Sequence, residues 1–307
     1  MKIIGPRATA AALPFHRLIE ALRQQFAGGC EVPQRHVHQP SAGMTSLLMP
    51  AWQAGGHYVV KIVNIAPGNA TLGLPGLHAT VLLHDGATGR PLALMDGNAI
   101  TARRTAAASA LAASYLARAD ARHLLVVGAG RVAELLPEAY GAVRTIDRVS
   151  VWARRPAAAR ALAARWRRRG IHAEAAPSLE RATAQADIVS CATLSTEPLI
   201  RGEWLKPGSH LDLIGSFTPA MREADDACFQ GAALLVDTDE ALVKSGELLS
   251  PMSRGVFARQ DVRGTLASLC RGEAVGRQVA DERTVFKSVG NALEDLAAAA
   301  LVHGQTG

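Results

Sequence analysis

The run Leu124-Leu125-Val126-Val127-Gly128-Ala129-Gly130-Arg131-Val132-Ala133 constrains the fold more than any other part of the chain. Its apolar half reads as a strand buried on both faces, which is the habit of a parallel sheet. Gly128 permits a tight turn out of that strand, and Gly130 lets backbone approach a pyrophosphate. The helix opening at Arg131 and Val132 then presents free N–H groups to negative charge. Ala133 stands where a third glycine is usual. Placed between strand and helix, the pattern reads as a dinucleotide-binding turn; a plain glycine turn in an α/β domain is the competing reading.

The neighbouring sequence extends the same architecture. Strands are expected at 123–127, 148–153, 186–193, 210–215 and 233–237, with helices at 132–141, 156–169 and 178–185 between the early ones. Short apolar strands alternating with amphipathic helices indicate a doubly wound parallel sheet. The first hundred residues differ. A helix is expected from Ala10 to Phe26. Tyr58–Ile65 and His78–His84 are β-rich, and Gly86-Ala87-Thr88-Gly89 reads as a hairpin turn. An Ala-rich helix follows over about 100–117, and another covers 291–303 at the end of the chain. The expected fold is therefore α/β: a Rossmann doubly wound sheet over 116–290 plus an α+β domain over 1–115, to which 291–307 returns.

Composition excludes several classes. With 33 basic and 27 acidic residues the net charge is +6, too mild to imply a nucleic-acid partner. Two stretches without formal charge, Arg35 to Lys61 and Lys61 to Asp85, are long enough to span a membrane, but their prolines and glycines rule out a spanning helix. Arg7 interrupts any signal-peptide core, so a cytoplasmic protein is expected. The four cysteines match no zinc spacing, and Cys191 reads as core. The ten histidines form no HxxH or HExxH pair and read as surface or loop lining, so no metal site is expected.

The strand at 148–153 bears on cofactor choice. A site selective for NAD ends this strand in a carboxylate for the ribose 2′-hydroxyl. Here it ends in Arg154-Arg155, which suit a 2′-phosphate, so NADP(H) is favoured with NAD(H) as the alternative. Outside the sheet, Arg35, Lys61 and Arg104 each place a cation beside apolar sequence. A lysine in a strand that reads as buried needs an anionic partner, either within its own domain or on a ligand.

Ordered along the chain are Lys61-Ile62-Val63-Asn64, Gly73-Leu74-Pro75, Asp96-Gly97, Ile100 to Ala107, Gly128-Ala129-Gly130, Ala192-Thr193, Pro207 to His210, Gly215 to Glu223, Ser245-Gly246-Glu247, Val285 to Gly290 and Glu294-Asp295. In this order and joint presence the chain resembles the ornithine cyclodeaminase/μ-crystallin family over nearly its whole length. The resemblance implies a homodimer whose first domain binds substrate and makes the dimer contact. It implies that Arg35, Lys61 and Arg104 hold a substrate carboxylate, with Thr193, the strand end at Ile214 and Val289 near the nicotinamide. Asp295 reads as orienting a helix end, and Asp212 is open between a structural and a cofactor role.

Departures from the family pattern select the reaction. True ornithine cyclodeaminases carry an aspartate in the segment aligned with Gly215 to Pro219, where this chain has Phe217. They carry a glutamate where it has Leu47, and a threonine where it has Gly76. A side-chain ammonium would meet Leu and Phe, at a cost of several kcal/mol. The segment Gly215 to Glu223 instead resembles that of imine-reducing members. The expected activity is NAD(P)-dependent reduction of a small α-imino acid such as pyrroline-2-carboxylate. Ornithine cyclodeamination with bound NAD and non-catalytic NADP binding are the alternatives. The first reading requires Arg35, Lys61 and Arg104 to converge and to be available to a ligand.

Overall fold

The computed structural model describes residues 1–306. The chain forms two compact units, one made of 1–105 with the segment from Asn291 onward, the other of 106–290. The division falls inside a long helix, not at its end near residue 115.

The first unit opens with β1 (Lys2–Ile4), α1 (Pro6–Ala11) and α2 (Phe15–Gly28). The single helix expected from Ala10 to Phe26 is thus two helices. Pro14 has no N–H to continue a helix and pushes Leu13 away from helical geometry, so the chain breaks there and restarts at Phe15. Then come β2 (His36–Ser41), β3 (Met44–Trp52), β4 (His57–Ile65), β5 (Leu77–Asp85), β6 (Pro91–Asp96) and α3 (Gly97–Leu116). The sheet order is β1-β6-β5-β4-β3-β2, antiparallel except for the β1/β6 pair.

The second unit contains β7 (His123–Val127), α4 (Arg131–Gly141), β8 (Arg148–Trp152), α5 (Pro156–Arg168), β9 (Ala173–Ala175), α6 (Leu179–Gln185), β10 (Ile188–Cys191), β11 (His210–Leu213), β12 (Ala233–Val236), α7 (Ala241–Lys244), α8 (Gly246–Ser253), β13 (Val262–Thr265), α9 (Leu266–Cys270) and β14 (Thr284–Lys287). Its eight strands are all parallel, in the order β13-β12-β14-β11-β10-β7-β8-β9. The order reverses at β7, with β8 and β9 on one side and β10 and β11 on the other, which is the Rossmann arrangement. β14 lies inside the sheet between β11 and β12, although its sequence reads as a motif and not as a strand. Cys191 is in the core. The histidines are not all at the surface. His123 and His210 lie within β7 and β11 and are buried, because a strand covered on both faces buries whatever it carries.

The chain closes with α10 (Ala292–Gln305), which packs in the first unit against α2 and β3 to β6. It covers the sheet face bearing Val59, Lys61, Val63, Val81 and Met95, all buried. No helix among the described residues is long and apolar enough to cross a membrane.

Candidate active site

Strand register places Lys61 in the middle of a row across the first sheet. Lys61 pairs with Met49 on one side and Val81 on the other, Val81 with Met95, and Met95 with Ile4. Arg35 is half-buried and lies directly before β2, which joins β3 from the His36–Leu48 pair onward. Leu47, opposite Val63, shares the face of Lys61 and is half-buried. A lysine at 1% exposure among such residues must be compensated, and α10 brings the compensation.

Asn291 caps α10 by accepting from the Leu293 amide, and Glu294 returns a carboxylate oxygen to the Asn291 amide. This capping box fixes the first turn, where Glu294 and Asp295 are fully buried. Lys61 Nζ lies 2.6 Å from Asp295 Oδ2, as a charge contact outside the alignment of a hydrogen bond. Arg104 donates from Nε to Asp295 Oδ1 at 3.1 Å and from Nη1 to Glu294 Oε2 at 2.8 Å. Burial holds the Lys61 ammonium down to about 8, with Asp295 pulling it back up and Arg104 pressing it lower.

Lys61 and Arg104 therefore converge, but not as open cations. Glu294 and Asp295 balance them in formal charge, so the expected cleft of three uncompensated positive groups is not what these residues build. An ammonium has three donors, and only the Asp295 contact engages Lys61 among the described residues. Two donors thus remain for a ligand. Asp295 does more than the sequence pattern implies. It is the shared anion of Lys61 and Arg104, more than a helix-orienting group, and a partner 191 residues from Arg104 leaves no local trace.

The second unit carries the dinucleotide signature. Gly128 has φ +120°, and a Cβ there would stand 2.6 Å from the Ala192 carbonyl oxygen, so only glycine fits where β7 and β10 diverge. Gly130 is exposed with open space where a Cβ would be, and it starts α4 without a side-chain cap. The free N–H groups at Arg131 and Val132 fit a pyrophosphate. Arg154 and Arg155 are exposed in the bend between β8 and α5. Thr193, Ile214 and Val289 follow the ends of β10, β11 and β14, on the carboxyl edge of the sheet where ligands of open α/β folds bind. Phe217, in the loop after β11, is 42% exposed.

Asp212 has a structural role. It is fully buried in β11 and accepts from the hydroxyls of Ser109 (3.1 Å), Tyr140 (2.9 Å) and Ser190.

Residues 8–306 match the model of the ornithine cyclodeaminase/mu-crystallin family. Delta(1)-pyrroline-2-carboxylate reductase of Paracoccus denitrificans is 44% identical over 298 residues, covering 94% of this chain and 92% of its own. The structure of Thermococcus litoralis Delta(1)-pyrroline-2-carboxylate reductase with NADH and L-proline aligns with a TM-score of 0.93 at 33% identity. That alignment covers 100% of this chain and 97% of the other. An archaeal alanine dehydrogenase dimer with bound NAD gives 0.93 at 30% identity, covering 100% and 96%. The ordered motifs, the paired folds and these likenesses agree, and the chain belongs to the ornithine cyclodeaminase/mu-crystallin family.

Proposed function

We propose that the protein is an NAD(P)-dependent reductase of a small cyclic α-imino acid, of which pyrroline-2-carboxylate is the type. The observation that carries this is Lys61, buried beside Arg104 with two spare donors on a face that also holds Leu47 and Met49. Such a place suits a small carboxylate with an apolar ring, and Leu47 and Met49 offer nothing to a second ammonium. The reductase relatives of Paracoccus and Thermococcus support the same reading.

When bound, NAD(P)H supplies the hydride that the imine carbon accepts. The Gly128 turn and the open start of α4 hold the pyrophosphate, and Arg154 with Arg155 holds a 2′-phosphate. Lys61 and Arg104, fixed by Asp295 and Glu294, orient the substrate carboxylate with Arg35, so that positioning does much of the work. Lys61, held down to about 8, carries a proton it can give to the imine nitrogen near neutral pH. Leu47 and Phe217 present apolar side chains where a cyclodeaminase needs acids.

The chain acts as a homodimer in this reading. On the sheet face opposite Lys61, Leu48, Pro50, Val60, Ile62, Leu82 and Leu94 are only half-buried. An apolar surface of that extent suits a second copy.

The test follows NADH and NADPH oxidation with pyrroline-2-carboxylate, alongside ammonia release from ornithine. Imine-dependent oxidation is expected, with replacement of Arg154 and Arg155 by Ala weakening NADPH and sparing NADH. Ammonia release without net cofactor turnover would mean cyclodeamination. Dinucleotide binding without turnover of any imino acid would mean a binding protein.

A further inference from the structure

Behind the carboxyl edge of the parallel sheet lies a cluster of ionisable groups that neither the substrate cations nor the glycine turn uses. Glu223 is fully buried. Its Oε1 accepts from the Thr193 amide and the Thr193 hydroxyl, both at 2.7 Å, and its Oε2 accepts from the Gly215 amide at 2.7 Å. One carboxylate thus ties the exits of β10 and β11. A Cβ at Gly215 would stand 2.0 Å from the Thr193 carbonyl oxygen and 2.5 Å from Glu223 Oε1, so the two exits approach as closely as glycine allows.

Asp237, also buried, does the same for the neighbouring strand. Its Oδ2 accepts from the amides of Val289 (2.8 Å) and Gly290 (2.7 Å), and its Oδ1 accepts from Thr238 (2.7 Å). Glu247 completes the set by accepting from the amides of Glu223 (2.6 Å) and Ala224 (2.9 Å). Two cations meet the cluster: Lys287 at the end of β14, fully buried, donates to the Leu213 carbonyl at 2.9 Å, and Arg222 Nε stands 3.9 Å from Glu247 Oε1. Burial lowers the Lys287 ammonium, and Glu223, Glu247 and Asp237 in turn hold it up. Burying three acids with these two cations is costly for stability alone, since apolar side chains would fill the same volume at less cost. Between them Glu223 and Asp237 accept from the backbone N–H groups of Thr193, Gly215, Val289 and Gly290, at the strand exits that the sheet offers to a nicotinamide, while Glu247 holds the Glu223 backbone.

We infer that Glu223 and Asp237 are positioning residues and that they set the Thr193, Gly215 and Val289-Gly290 loops for hydride transfer. This rests on the reading of the sheet edge as the nicotinamide end. Neither carboxylate touches substrate in this assignment; each acts through loop backbone. A charged acceptor binds two amides more tightly than its neutral isostere, so the amide variants let the loops relax while leaving the pyrophosphate turn alone.

The experiment uses Glu223→Gln and Asp237→Asn in the full chain. With each variant, NADH is titrated by fluorescence, and NADH oxidation is followed with pyrroline-2-carboxylate. Dinucleotide affinity is expected to stay within about 3-fold of the parent, while kcat falls by about 10- to 100-fold, the range for a reacting centre misplaced by about 1 Å. The enhanced emission of enzyme-bound NADH should fall as well, because it reports immobilisation of the ring. Unchanged kcat and unchanged emission in a folded variant overturn the assignment. Loss of affinity and of thermal stability in equal proportion also overturns it, as the mark of a merely structural role. If neither variant folds, hydrogen exchange on the parent protein decides. The Thr193 and Gly215 amides should exchange at least about 100-fold slower than in an open loop, and fast exchange at both refutes the tie. Failure of the parent to oxidise NADH with any imino acid counts against the proposed function instead, and the emission and exchange measurements still judge Glu223.

Discussion

In Lys61, Arg104, Glu294 and Asp295 the proposed substrate site and a folding element share the same atoms. Glu294 closes the capping box of α10 and also accepts from Arg104; Asp295 serves both cations. Removing one member strands its partner in the interior, at a cost of about 3–5 kcal/mol. Arg104→Ala is therefore expected to lower the unfolding free energy by that amount in urea titration and to abolish imine reduction. Dinucleotide affinity, assigned by the proposal to residues of the other unit, should persist within a few-fold in a fluorescence titration. Normal turnover in this variant would remove Arg104 from the site. The cations were legible as sequence oddities, because a lysine inside an apolar strand is conspicuous. Their carboxylate partners were not, because Glu294 and Asp295 look like an ordinary acidic first turn.

At the scale of elements, β11 carries two buried ionisable groups that respond to acid in opposite directions. Burial drives His210 down to about 3, with Arg277 and Arg144 adding to the effect, and pushes Asp212 up to about 6 against three hydroxyl donors. For His210 the unfolded chain takes a proton below its ordinary value of 6.5 that the folded strand refuses, so stability is lost as pH falls from 6.5 toward 3. For Asp212 the folded state keeps its proton to higher pH than the ordinary 3.8, so stability is regained as pH falls from 6 to 3.8. The two offset each other between those values. Asp212→Asn should steepen acid destabilisation and His210→Gln should soften it, as read by thermal melts from pH 7 to 4. Parallel slopes in both variants would contradict the assignment. The β7–α4 turn gives a second element-scale expectation. Gly128→Ala forces a side chain into a positive φ and against the Ala192 carbonyl, at about 1–3 kcal/mol, and should weaken NADH binding measurably by titration.

At the scale of the molecule, the half-exposed apolar face of the six-stranded sheet carries the expectation of a dimer. Light scattering should return twice the 32.2 kDa chain mass. Val60→Glu, placing a charge in the middle of that face, should give a monomer with the secondary structure retained by circular dichroism. A parent protein that runs as a monomer at micromolar concentration would refute the dimer.

The sequence by itself determined five of the eight parallel strands, the glycine turn and the helices between the early strands, because those follow from local periodicity and from backbone conformations only glycine adopts. It also marked Lys61 and Arg104 as residues needing anions. Only the tertiary structure decided which anions. The partners of Lys61 and Arg104 come from the far end of the chain, Glu223 reaches back to Thr193 and Gly215, and β14 inserts between β11 and β12 out of chain order. Buried charge is settled by proximity in space, and spatial neighbours distant in sequence leave no periodic or spacing signal in a single chain.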